Sequence, residues 1–152
     1  MNEVYHILDI VEEHFKNDPL VHAVTFGDVD EADLIKQTLF PLVNVNLGNL
    51  VYVGSTIKMS LNIIAVDIVD ESKEYSNSFE GNNNLIDVLN TQAGVLNKFL
   101  TSLKRGRLNM DESITLDNEP QLEYISGEFG NNLSGFGTEV LLNIPNVQVF
   151  GC

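Results

Sequence analysis

The chain has no tryptophan, a single cysteine and only eight basic residues among its 152, and each scarcity narrows what it can do. The one thiol, Cys152, closes the sequence. One cysteine excludes an internal disulfide framework and a cysteine-built metal cluster, and its position excludes a prenylation box, which needs the cysteine four residues from the end. A reducing compartment is the expected setting. No apolar run approaches the roughly 18 residues needed to cross a bilayer, so no membrane partner is expected. Residues Met1 to Asp9 carry two acids and no base, and the charged start and apolar stretch of a secretory leader are not expected there.

What is present describes one globular domain spanning 1–152. The hydrophobic fraction of 43% beside 20% charged residues is enough to bury a single core. Twenty-two acids leave a formal charge of −14, a field that repels nucleic acid and anionic membranes. The few bases are uneven: Lys98, Lys104, Arg105 and Arg107 fall close together, whereas Glu3 to Asp33 holds nine acids and one lysine. Two readings stand side by side. The asymmetry supplies opposed surfaces that meet between subunits, or the bases merely favour the negative end of a helix.

Hydrophobic spacing organises the chain as α+β. Val4, Ile7, Leu8, Val11 and Phe15 recur at helical intervals before Pro19, predicting a short amphipathic helix over Asn2 to Lys16. His6, Asp9 and Glu13 share its other side, as solvated polar residues or as one nitrogen and two oxygens for a metal. Val21 to Phe26 reads as a strand. Gly27 to Asp33 then reads as an acidic loop, whose Asp28, Asp30, Glu31 and Asp33 lack the spacing, central glycine and closing glutamate of a calcium-binding EF-hand. Leu39 to Val69 is strand-like, interrupted at Gly48-Asn49 and Gly54, with Pro41 marking an edge or bulge. Within it Ile57, Met59, Leu61 and Ile63 alternate with polar residues, after which Ile64, Val66 and Ile68 take over the apolar phase. A bulge near Ile63–Ile64 explains the change, and so does burial of the distal half on both faces.

A polar loop, Glu71 to Asn84, leads into a long helix. Leu85, Val88, Leu89, Gln92, Val95, Leu96, Phe99, Leu100 and Leu103 form one stripe, with Asn84 as N-cap and Gly106 as stop. Such a stripe predicts a helix packed across a mainly antiparallel sheet. Ser113 to Leu116, Gln121 to Ile125 and Glu139 to Ile144 complete the strands. Ser126 to Thr138, with four glycines plus Phe129 and Phe136, fits neither a dinucleotide fingerprint nor a P-loop. It reads as a pliable hairpin arm whose two aromatics anchor on a neighbour.

Nothing gathers into a catalytic constellation. The histidines, His6, His14 and His22, lie in the first helix and the first strand, with no nucleophile elbow beside them. Paired carboxylates occur by chance in so acidic a chain. The expectation is a non-enzymatic protein without cofactor or metal.

Three segments carry a family resemblance: Phe40-Pro41-Leu42-Val43-Asn44-Val45, the stretch Ile64 to Asp70, and the capped helix Asn84 to Gly106 ending Leu103-Lys104-Arg105-Gly106. With the order of elements, they make the chain resemble the tail-terminator and tail-completion proteins of tailed bacteriophages, above all versions from phages of Bacteroidetes-type hosts, including crAss-like phages. The resemblance implies a virion structural protein, assembled in the host cytoplasm, that forms a homo-oligomeric ring in the neck between portal and tail. Genomic DNA would pass its channel without specific binding. It further implies side-to-side subunit contacts, with Gly27 to Gln37, Glu71 to Asn83 and Ser126 to Thr138 reaching neighbouring neck, portal or tail proteins. The interface candidates are then Asp28, Asp30, Glu31, Lys104, Arg105, Arg107, Phe129 and Phe136, and acids from Asp28 to Asp33 and Asp67 to Glu74 would line the channel. The alternative function is an acidic binding protein, a DNA mimic or host-directed inhibitor.

Overall fold

A computed structural model describes residues 3–27, 40–68, 85–105, 114–126 and 133–145. Helix α1 (Glu3–Lys16) is followed by strands β1 (Ala23–Phe26), β2 (Leu42–Val53) and β3 (Thr56–Ile68). Helix α2 (Leu85–Lys104) then precedes β4 (Thr115–Leu116), β5 (Glu123–Ser126) and β6 (Leu133–Pro145). The fold is therefore α+β, with two helices and one six-stranded sheet among the described residues. Strand order is β1-β2-β3-β6-β4, and β5 also pairs with β6. Only β1 with β2 is parallel; every other pairing is antiparallel.

The sheet is organised around β3, which pairs with β6 from Thr56↔Pro145 to Ile68↔Leu133 without a break. Ile57, Met59, Leu61, Ile63 and Ala65 alternate along it and are buried, since successive strand residues point to opposite faces. Their face joins the main core, which also takes Ile7, Val11 and Phe15 from α1 and Val95, Leu96, Phe99 and Leu103 from α2. On the opposite face a smaller cluster of Leu42, Val66 and Leu133 is packed by Ala23, Phe40 and Ile64. The apolar phase of β3 changes because its distal half is buried on both faces.

The bulge is elsewhere. Pairing through Ile63 and Ile64 is regular on both sides, whereas Leu47↔Leu61 gives way to Leu50↔Met59, so β2 holds one residue more than its partner at Gly48-Asn49. That pair of residues therefore bends one strand rather than ending it. Gly54, at φ +59°, takes the left-handed conformation needed in the two-residue turn from Val53 to Thr56. The short parallel strand β1 is held by Asn44, a buried side chain that accepts from Thr25 Oγ1 at 2.7 Å and donates to the Gly27 carbonyl at 3.1 Å.

The pliable arm also requires correction. Leu133 to Thr138 form the first half of β6, and Phe136 lies half-buried opposite Ala65, packed on the core beside Tyr124. Phe129 lies outside the described residues. Gly135 and Gly137 are there for closeness rather than pliancy: a Cβ on Gly135 would run into the Ala65 backbone carbonyl, and one on Gly137 would meet Ile125 Cδ1 at 3.3 Å. Between β4 and β5, Asn118 stands in for a strand residue. Its Oδ1 accepts from the Leu141 amide at 3.0 Å, and its Nδ2 donates to the Glu139 carbonyl at 3.0 Å.

Two stability outcomes follow from this packing. Gly135→Ala must push β6 off β3, so chemical denaturation is expected to show a loss of about 3 kcal/mol or more, the upper range for overpacking; an unchanged midpoint would refute the close approach. Gln92, in the apolar stripe of α2, is fully buried, and neither polar atom of its amide has a hydrogen-bond partner. Replacing it with methionine removes two buried polar atoms at similar volume and is expected to raise stability by about 1–2 kcal/mol in the same assay.

Candidate interaction surface

One edge of the sheet stands out. β1 pairs with β2 only from Leu42 to Val45, and among the described residues no strand lies beside β2 from Leu47 to Val53. This uncovered stretch begins at the bulge and ends at the turn, and it exposes Leu47, Val51 and Val53, the last two about half exposed (48% and 51%). Tyr52 is exposed as well. The extra residue at Gly48-Asn49 shifts the side-chain phase, so that Leu50 packs on the core while Val51 and Val53 fall on the opposite face, with Lys58 and Thr56 across from them.

The far side of the sheet is polar. Lys58 Nζ reaches Asp117 Oδ2 at 3.0 Å, and Asp117 Oδ1 accepts from Asn143 Nδ2 at 3.0 Å. The Asn143 hydrogen bond first, then Lys58, hold the Asp117 carboxyl below the usual carboxylate range. Lys104 and Arg105 are exposed at the end of α2 and border a groove shared with Thr115, Asp117 and Glu119. They therefore sit beside acids of their own chain.

A third cluster joins the two helices. Asp18, only 6% exposed, accepts from the Leu20 amide at 2.9 Å and from Lys98 Nζ at 3.4 Å, through the same oxygen. His14, one turn earlier, sits edge-on to Phe15 and Phe99 with Nε2 buried and without a partner. Burial pushes the His14 imidazole below its ordinary value; Asp18 opposes that shift and Lys98 adds to it. Near the far end of β3, burial raises the Asp67 carboxyl, against the Ile68 amide and the charge of His22.

Of the interface residues the sequence suggests, Lys104 and Arg105 are exposed and close together, and Phe136 belongs to the sheet. Asp28, Asp30, Glu31, Arg107 and Phe129 lie outside the described residues, as do the acidic segments Asp28 to Asp33 and Asp70 to Glu74. His6, Asp9 and Glu13 are exposed on α1, and among the described residues no three His, Cys, Asp or Glu side chains are grouped to hold a metal ion. No described helix is long and apolar enough to cross a membrane. Sequence reasoning missed the exposed edge and the His14–Asp18–Lys98 cluster. The available signal for the edge was the absence of any charged residue between Lys36 and Lys58.

The lowered His14 imidazole sets a pH dependence. As pH falls through about 6.5, the unfolded chain takes up the proton before the folded one, so stability is full above that value and is lost as pH drops through the depressed folded value. Asp67 works in the opposite sense, since its raised carboxyl binds a proton more readily when folded and its penalty at neutral pH is relieved by acid. Denaturation midpoints of the parent and His14→Gln, compared from pH 7.5 to 5, are expected to diverge, the parent losing more; parallel curves would refute it. Against known proteins, no family model matches the chain and no curated protein matches it.

Proposed function

We propose that this protein is a non-enzymatic structural subunit that joins copies of itself side to side into a closed ring, in the manner of the phage neck proteins it resembles. The observation that carries this reading is the edge of β2 from Leu47 to Val53, beside which no described strand lies and where Leu47, Val51 and Val53 are exposed on a chain of net charge −14. Natural sheets guard their edges with charges, inward lysines or proline, because unpaired strands recruit other chains. Leu47 to Val53 carries a bulge but no charge and no proline. An edge left in this state suits pairing with another chain.

Closure into a ring needs a contact between two different surfaces. Among the described residues the sheet has two unlike borders: β1 followed by the remaining length of β2 on one side, and the short β4 and β5 on the other, where Asp117, Glu119, Lys104 and Arg105 gather near β4. We take α2 to lie across the sheet, on the grounds that Val95, Leu96, Phe99 and Leu103 share one core with Met59, Leu61, Leu142 and Ile144. That arrangement leaves the borders available for neighbours. The abundance of acids would repel a duplex passing through the bore and keep it from binding.

Native mass spectrometry across about 1–100 μM protein, with cryo-EM of the particles, is expected to show one cyclic oligomer that retains no DNA at low salt. A monomer at every concentration and in the virion would overturn the ring. A monomer that instead inhibits a basic DNA-binding enzyme would favour the acidic-inhibitor reading.

A further inference from the structure

We propose that the junction of α1 and α2 holds a site for a divalent transition-metal ion of the zinc type, bound by His14 Nε2 and Asp18 Oδ2, from which Lys98 is displaced when the ion enters. The inference goes beyond the ring reading and does not rest on it. The site begins with spacing. Backbone bonds from the Asn17 amide to the Glu13 carbonyl at 3.0 Å and from the Asp18 amide to the Phe15 carbonyl at 3.1 Å carry the last turn of α1 on to Asp18. His14 and Asp18 stand four residues apart on that turn, the separation that brings two side chains to one side of a helix. Both line a cavity of about 250 Å³, together with Asn17, Pro19 and Lys98.

The donors there are left unsatisfied. Asp18 is only 6% exposed, and its Oδ1 accepts from the Leu20 amide and from Lys98, whereas its Oδ2 is buried without a hydrogen-bond partner. His14 Nε2 is also buried and without a partner, so the two atoms do not bond to each other. Phe15 and Phe99 meet the imidazole edge-on, with ring centres 5.2 and 5.3 Å away, and fix its plane. Each buried polar atom without a partner costs stability, and one cation between these two satisfies both. The kind of cation follows from the donors. An imidazole nitrogen with a carboxylate oxygen suits Zn²⁺ and its first-row neighbours, whereas Mg²⁺ and Ca²⁺ take oxygen alone. Two protein ligands leave the other positions to water, for which the cavity has room. Lys98 is the competitor. Its Nζ stands 3.4 Å from Asp18 Oδ1, longer than the ~2.7–2.9 Å of a strong charged hydrogen bond, and its side chain is half exposed, so it can swing into solvent. The net charge of −14 draws cations to the whole chain, so a specific site is marked by discrimination between ions rather than by binding alone.

Full-length protein carrying Cys152→Ser, which removes the one thiol, is to be titrated with Zn²⁺ and with Mg²⁺ at neutral pH. Calorimetry and thermal denaturation, up to about 1 mM free ion, are expected to show one Zn²⁺ bound per chain with a raised midpoint, and no effect of Mg²⁺. His14→Gln and Asp18→Asn are each expected to weaken Zn²⁺ binding roughly tenfold or more. Lys98→Met is expected to tighten it several-fold, because the opposed charge is gone. Absence of Zn²⁺ binding would overturn the proposal and leave water as the occupant of the cavity. Equal shifts with Mg²⁺, unchanged affinity in His14→Gln, or binding no tighter in Lys98→Met would overturn it too. Nitrogen NMR of the histidine rings, with His14 and Asp18 in place, decides the matter where a variant fails to fold: Zn²⁺ is expected to move the His14 Nε2 resonance and spare His6 and His22. Movement of His6 or His22 in its stead would place the ion elsewhere and overturn the assignment.

Discussion

Because β3 is paired along its whole length with β6 and along most of it with β2, its register decides what every other element meets. A slip of one residue would carry Lys58, Ser60 and Asn62 to the helix side and expel Met59, Leu61 and Ile63. Several independent features hold the observed register. Opposite the Ala65–Val66 backbone only a glycine fits, since no Cβ has room there, and a slip of β6 by one residue would bring Ser134 or Phe136 into Gly135's place. Lys58 meets Asp117, and Asp117 meets Asn143, the residue that pairs with Lys58 across the strands. Asn118 then fastens the chain to the backbone of Glu139 and Leu141. The outer polar network thus repeats the register set by the apolar face.

The helices depend on that sheet and are tied to each other by less. Phe15 and Phe99 pack at 4.9 Å between ring centres, and Lys98 reaches Asp18 beside them. Asp18 is buried while Lys98 is half exposed, so the pair gains less from attraction than it would lose if Lys98 were removed and the acid left alone. His14 stands next to this pair without a hydrogen-bond partner at Nε2. The junction of α1 and α2 therefore loses stability in acid through His14, while most of the sheet is held by backbone pairing and apolar contacts, with Asp67 and Asp117 as its titrating exceptions.

Periodic elements were legible in the sequence because their signal is local. The stripe from Val88 to Leu103 and the run Ile7, Val11, Phe15 both turned inward as their spacing required. The errors arose where meaning depends on a distant strand. Gly48-Asn49 reads as a break, yet β3 continues past it and turns it into a bulge. At Ile63–Ile64 the sequence leaves a bulge and burial on both faces equally open, and only the distant Leu42 and Leu133, which cover the second face, decide for burial. Glycines 135 and 137 read as pliancy, since flexibility and close approach call for the same residue and only the position of Ala65 and Ile125 separates them. The exposed edge was hidden for the same reason: Val51 looks like any core valine until the absence of a described neighbour strand is known.

This bears on how an acidic chain can assemble. Self-repulsion opposes association wherever two copies bring acids together, and at ordinary ionic strength it is screened beyond roughly 8–10 Å. Contact is therefore decided at close range, by which surfaces lack carboxylates. In the proposed ring the uncharged stretch Leu47 to Val53 is one such surface, while the acids elsewhere work against stacking of copies in other registers. On the ring reading, the exposed apolar side chains of β2 and the strong negative charge would act together, the charge opposing contact wherever carboxylates meet and the uncharged edge being spared that repulsion.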